Sequence, residues 1–139
     1  MLFRSWRNLI RLRRMLGLFA FFYALAHFTV YFWLDQVLDV GAVLEDILKR
    51  PYITIGMLAL LLLVPLAVTS TNGMMRRLGR RWTTLHRLVY VITGLALWHF
   101  WWQVKADIRE PLLYVGIFAV LMAWRLKARF WPATVRERT

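Results

Sequence analysis

The 139-residue sequence contains no cysteine, which excludes disulfides, thiolate metal sites, iron–sulfur clusters and covalent haem attachment through Cys-x-x-Cys-His. Any metal must be held by histidine, methionine or carboxylate. Acidic residues are scarce, seven against nineteen Lys and Arg, for a formal net charge of +12. In a soluble chain that balance suggests a nucleic-acid partner, so the positions of the charges decide its meaning. They fall between apolar runs, not on one face. There is also no Gly-rich phosphate loop, no His-Glu-x-x-His and no paired carboxylate, and Ser70 and Thr71 have no identifiable base. Hydrolysis and nucleotide binding are therefore unsupported. What abounds is apolar: 60% of the residues are hydrophobic and the mean hydropathy is +0.52, above the share of an average soluble domain.

The apolar residues form four runs. Residues 15–34 carry no charge over a length that crosses ~30 Å of hydrocarbon at ~1.5 Å per residue. Arginines precede this run as in a signal peptide, but it is too long and ends Tyr31-Phe32-Trp33-Leu34, so it reads as an anchor. Residues 52–68 follow Arg50-Pro51 and stop at the turn formers Thr69-Ser70-Thr71-Asn72-Gly73; Pro65 is expected to kink this helix near its end. Residues 85–104 finish in Trp98, Trp101 and Trp102, the composition of an interfacial belt. The fourth run, 111–124, is short and extends to about residue 127 by snorkelling Arg125 and Lys127.

Orientation follows from the loops, because cytoplasmic segments retain Lys and Arg. Residues 1–14 hold five arginines and no acid, residues 69–84 hold Arg76, Arg77, Arg80 and Arg81 and no acid, and the tail from Arg125 holds five bases against Glu137. Segment 35–51 instead holds Asp35, Asp39, Glu45 and Asp46 against Lys49 and Arg50, and 105–110 is balanced. The expectation is a single all-α integral membrane domain over residues 1–139. It has four transmembrane helices at about 15–34, 52–68, 85–104 and 111–127, and both termini are cytoplasmic. Apolar residues at Val37, Val40, Leu44, Ile47 and Leu48 predict a short amphipathic helix on the outer surface. This pattern accounts for the basic charge with a lipid bilayer and no nucleic acid.

Three histidines occur, and two lie deep in the expected spans, where an ionisable side chain is costly and functional by default. His27 lies ~18 Å and His99 ~21 Å from the inner ends of their helices. Both helices run outward, so the imidazoles share a level and can fill both axial positions of one haem. With both filled, the iron has no site for oxygen or substrate, which points to electron transfer. His86 lies ~20 Å lower, at a second, inner level, and about 140° around the helix from His99 unless Gly94 distorts it. The bland alternative is that these histidines only brace neighbouring helices. Arg87 and Arg77 are chiefly topology determinants and, secondarily, candidate contacts for haem propionates or a phosphate.

Five stretches carry a family resemblance. They are Arg13-Arg14-Met15-Leu16-Gly17-Leu18, Tyr23-Ala24-Leu25-Ala26-His27-Phe28-Thr29-Val30-Tyr31, Arg50-Pro51-Tyr52-Ile53-Thr54-Ile55-Gly56, Leu66-Ala67-Val68-Thr69-Ser70, and Arg77 through His86 to Tyr90. Together they resemble the MsrQ family, haem-binding membrane subunits of bacterial methionine sulfoxide reductase systems, themselves similar to ferric reductase transmembrane domains. The resemblance implies a multi-pass protein of the bacterial inner membrane. Such a protein takes electrons from the quinone pool and passes them through b-type haem to MsrP, a periplasmic molybdoenzyme that repairs oxidised methionine. It implies an electron-transfer subunit rather than the catalytic one, with His27, His86 and His99 as haem-iron ligands and FMN as a further cofactor placed on no residue. The family carries further helices ahead of the one with His27, so the resemblance also implies a truncated or shortened member whose ligand opposite His86 lies elsewhere. Two other readings stand beside it: a cofactor-free membrane adaptor that docks a periplasmic partner through its acidic outer segment, and a haem-dependent ferric reductase.

Overall fold

The computed structural model describes residues 2–104 and 107–130, with side chains from residue 11 to residue 129. Every regular element among them is helical: α1 (Leu2–Val30) running into a π-helical turn (Tyr31–Asp35), α2 (Val40–Lys49), α3 (Pro51–Val68), α4 (Asn72–Leu78), α5 (Arg80–His86), α6 (Leu88–Gln103) and α7 (Arg109–Phe130). Among the described residues three helical stretches are long and apolar enough to cross a membrane, Arg11–Asp35, Pro51–Val68 and Arg109–Arg129. Their surfaces are those of a membrane protein. Phe19, Phe22, Tyr23 and Trp33 on the first, and Leu113, Val120, Leu121 and Trp124 on the last, are all more than half exposed. In water such apolar faces would have to be covered.

Local chemistry sets the element boundaries. Asp39 caps α2, its carboxylate accepting from the N–H groups of Gly41 (2.8 Å) and Ala42 (3.2 Å). Pro51 opens α3 at the first helical position, where its missing N–H costs nothing. The end of α3 has hydroxyls where N–H donors run out: Thr69 Oγ1 donates to Pro65 O (2.6 Å) and Ser70 Oγ to Leu66 O (2.6 Å). Between α4 and α5 the chain passes through Gly79 at φ +51°, ψ −121°, a conformation that side-chain-bearing residues avoid.

Two boundaries differ from the sequence expectation. Helix α1 begins well before residue 15, because residues 2–14 contain no proline or glycine to stop it. The run expected at 85–104 is divided at Arg87, not distorted at Gly94. There Arg87 N–H bonds Thr84 O (3.2 Å) and Tyr90 N–H bonds Arg87 O (3.2 Å), the tighter three-residue spacing of a 3₁₀ turn. That turn ends α5 on His86 and starts α6, which runs unbroken through Gly94.

Two compact units divide the chain, Met1–His99 and Phe100–Thr139. In the first, α3 is central. It packs against α1 and α2, and its Ala59 and Leu66 form a core with Ile92 of α6, flanked by Leu62, Leu63, Leu85, Leu88 and Leu95. Helix α2 sends Val43 and Ile47 inward and leaves Val40, Leu44 and Leu48 on an outward row one turn apart. Asp46, on the same helix, accepts from Tyr31 Oη (2.9 Å) and Gln36 Nε2 (2.7 Å), fastening the π-helical end of α1 to α2. Asp46 also pairs with Arg50 (3.5 Å), whose pKa is raised further by a hydrogen bond to the Tyr52 hydroxyl and then by this carboxylate. Near the middle of α1, Arg14 donates to Asn72 of α4. The second unit is built on α7, with Phe100 and Tyr114 edge to face at 6.1 Å.

Candidate functional site

The site begins with one residue from each of two helices. His27 lies on α1 and His99 near the end of α6, and their ring centroids are 6.2 Å apart with planes inclined at 72°. Two imidazoles on opposite sides of one metal, each bound at about 2 Å, have centres separated by roughly that distance. The structure thus brings together the pair singled out by depth.

The third helix fixes one member of the pair. His99 Nδ1 lies 2.6 Å from the backbone oxygen of Tyr52 in the first turn of α3. A carbonyl can only accept, so Nδ1 carries the proton, and in the neutral ring Nε2 keeps its lone pair. The imidazole rests on α3 at Gly56, where a Cβ would lie 2.8 Å from both Cε1 and Nδ1. The Tyr52 ring stands beside it, 6.5 Å between centroids.

His86 lies apart, at the end of α5, and its neighbour is an indole. Trp82 stacks on it at 3.9 Å and 23°, and His86 Nδ1 donates to Trp82 O at 3.1 Å. The indole is itself held, Nε1 donating to Thr69 O at 2.8 Å. His86 Nε2 is buried without a hydrogen-bond partner. Such an orphan costs about 1–3 kcal/mol, which a ligand on that nitrogen would offset. Among the described residues no group of three or more His, Asp or Glu could hold a metal ion, so each candidate site rests on imidazole alone. The donor chemistry suits haem iron: both His86 and His99 have Nδ1 anchored to a backbone carbonyl, which leaves Nε2 as the nitrogen for a metal. Arg77 and Arg87 are exposed, and neither forms an ion pair among the described residues.

Two histidines that meet across apolar helices are an arrangement that haem-binding membrane proteins use. The model of the ferric reductase-like transmembrane component family matches residues 1–97, and the chain belongs to that family. Within it the similarity narrows to MsrQ. Over 131 residues the chain is 61% identical to the protein-methionine-sulfoxide reductase heme-binding subunit MsrQ of Xanthomonas campestris pv. campestris (strain 8004), which covers 94% of this chain and 58% of that protein. It is 55% identical over 137 residues to the MsrQ of Herminiimonas arsenicoxydans, covering 96% of this chain and 62% of the relative. The resemblance read from the five sequence stretches is borne out. The chain spans 58% and 62% of the lengths of these two curated relatives. No solved structure matches it.

Sequence reasoning did not assign the supporting residues Tyr52, Gly56 and Trp82. Two signals were present. Gly56 is the one glycine inside the apolar helix α3, and Trp82 precedes His86 by four residues, one helical turn.

Proposed function

We propose that the chain is an electron-transfer subunit of the bacterial inner membrane that draws electrons from the quinone pool and delivers them through b-type haem to an MsrP-like periplasmic methionine sulfoxide reductase. The carrying observation is the His27–His99 pair, two imidazoles at 6.2 Å on α1 and α6. His27 and His99 would hold a haem there, which would supply one-electron transfer with neither histidine's place left for a substrate. The protein's part is to orient: the Tyr52 carbonyl holds the His99 Nδ1 proton. His86, stacked on Trp82, is the candidate ligand of an inner site. Both termini are cytoplasmic in this reading, residues 85–104, chiefly α6, make a fourth span, and α2 lies on the outer membrane surface by its Val40–Leu44–Leu48 row. The relatives are named as heme-binding subunits of a protein-methionine-sulfoxide reductase, which supports a catalytic partner for this chain.

The family match favours a second reading, in which the same haem reduces external ferric iron. Absorbance spectra of the detergent-purified protein, oxidised and dithionite-reduced, with pyridine haemochrome quantification, test both. A sharp reduced b-type spectrum is expected, from which His99→Ala removes the outer haem's absorbance. Unchanged haem content in that variant sinks the axial assignment, and colourless folded protein sinks both readings. Reoxidation by a ferric chelate, with no response to a periplasmic reductase, would select the second.

A further inference from the structure

Three features converge on the first two turns of α3. Its Tyr52 carbonyl takes the Nδ1 proton of His99 at 2.6 Å. In helical register that same carbonyl faces the N–H of Gly56, and its two lone pairs can serve both donors. At Gly56 itself the imidazole occupies the space of a side chain: an added Cβ would lie 2.8 Å from Cε1, 2.8 Å from Nδ1 and 3.3 Å from Cγ. No other glycine among the described residues is approached this way by a histidine. Glycine is otherwise a poor choice in a helix interior, so its place in α3 needs a reason, and the ring supplies one.

We propose that Gly56 and the Tyr52 carbonyl form a seat on α3 that fixes the tautomer and position of His99, making Gly56 a positioning residue for the outer haem. The inference rests on reading His99 as a haem ligand and adds what holds it. The hydrogen bond commits Nδ1 to the backbone and Nε2 to the iron. It also makes the imidazole a stronger donor, which favours the ferric state. The missing side chain lets the ring come close enough for the bond. An added methyl would meet the ring rather than backbone, so the ring moves and the bond to Tyr52 breaks while the helix, freed of a glycine, keeps its fold.

The test compares the purified full chain with Gly56→Ala, Gly94→Ala and His99→Ala. Gly94 lies on the helix that carries His99, and a Cβ there meets nothing within 4 Å. Haem affinity, the midpoint potential of the outer haem and its low-temperature EPR spectrum are the readouts. Gly56→Ala should weaken haem affinity about ten- to a hundred-fold, shift the potential positive and change the EPR g values, with Gly94→Ala like wild type. Wild-type values for Gly56→Ala in all three overturn the seat. If that variant does not fold, pulsed ENDOR on the wild-type ferric protein decides: an exchangeable, hydrogen-bonded Nδ1 proton on the axial ligand supports the seat, and its absence overturns it. The two readings fail separately. Full haem retention in His99→Ala removes the ligand assignment and the seat with it, whereas loss there beside a wild-type-like Gly56→Ala removes only the seat.

Discussion

Trp82 and His86 are locked to each other twice, by ring stacking at 3.9 Å and by the His86 Nδ1 hydrogen bond to the Trp82 carbonyl at 3.1 Å. The two residues sit one turn apart on α5, so the contact is local. What makes it tertiary is the indole N–H, which reaches the Thr69 carbonyl at the end of α3. Trp82 therefore ties the ring of His86 to the central helix.

Replacing Trp82 by phenylalanine should keep a ring against His86 while stranding the half-buried end of α3. The lost neutral hydrogen bond predicts a destabilisation of about 1 kcal/mol, and Trp82→Ala more, because the stacked surface goes too. Denaturant unfolding of the detergent-solubilised protein measures both. Equal stability of all three proteins would mean that the indole bond contributes nothing.

Asp46 is the acceptor on which the outer end of α1 depends. Asp46→Ala removes the partner of both Tyr31 Oη and Gln36 Nε2 and should cost about 1–3 kcal/mol. Tyr31→Phe should cost about 1 kcal/mol in the parent and almost nothing once Asp46 is alanine. A double-mutant cycle read by thermal unfolding checks this coupling. Additive losses would show that the two groups act independently.

Gly79 is the one glycine among the described residues at positive φ. Gly79→Ala must strain the turn between α4 and α5 and should destabilise the chain by about 1–2 kcal/mol. The comparison is Gly73→Ala, six residues earlier at an open position, which should be neutral or stabilising. An unfolding midpoint for Gly79→Ala at or above that of Gly73→Ala would contradict the backbone argument.

The cysteine-free sequence is a ready background for mapping topology. A single cysteine at exposed Glu45, on the polar side of α2, should react with a membrane-impermeant maleimide in intact cells, and one at Arg76 of α4 only after the inner membrane is opened. The reverse pattern would invert the proposed orientation. Labelling of both from outside would place α2 and α4 on the same side and break the alternation of spans.

Much of this protein was legible before any coordinates. Apolar runs and the bias of Lys and Arg depend only on local composition, because each segment partitions between lipid and water by its own side chains. The same arithmetic of rise per residue set His27 and His99 at one level. It was weaker at Arg87, where the chain makes a tight turn between His86 and Leu88 inside what composition alone reads as one apolar run. It also treated the apolar residues of α2 as one face, whereas Val43 and Ile47 turn inward and Val40, Leu44 and Leu48 outward.

The sequence by itself determined that the chain is helical and apolar enough for a membrane and singled out histidine as the candidate site, since hydropathy, charge and residue type are properties of the linear chain. Only the tertiary structure decided what each histidine touches. Tyr52 and His99 are 47 positions apart, and whether they meet depends on how α3 and α6 are rotated about their axes. That rotation is set by the Ala59, Leu66 and Ile92 contact between the helices. Side chains on neighbouring helices meet by packing, not by spacing, so the seat beneath His99 becomes visible only once the helices are side by side.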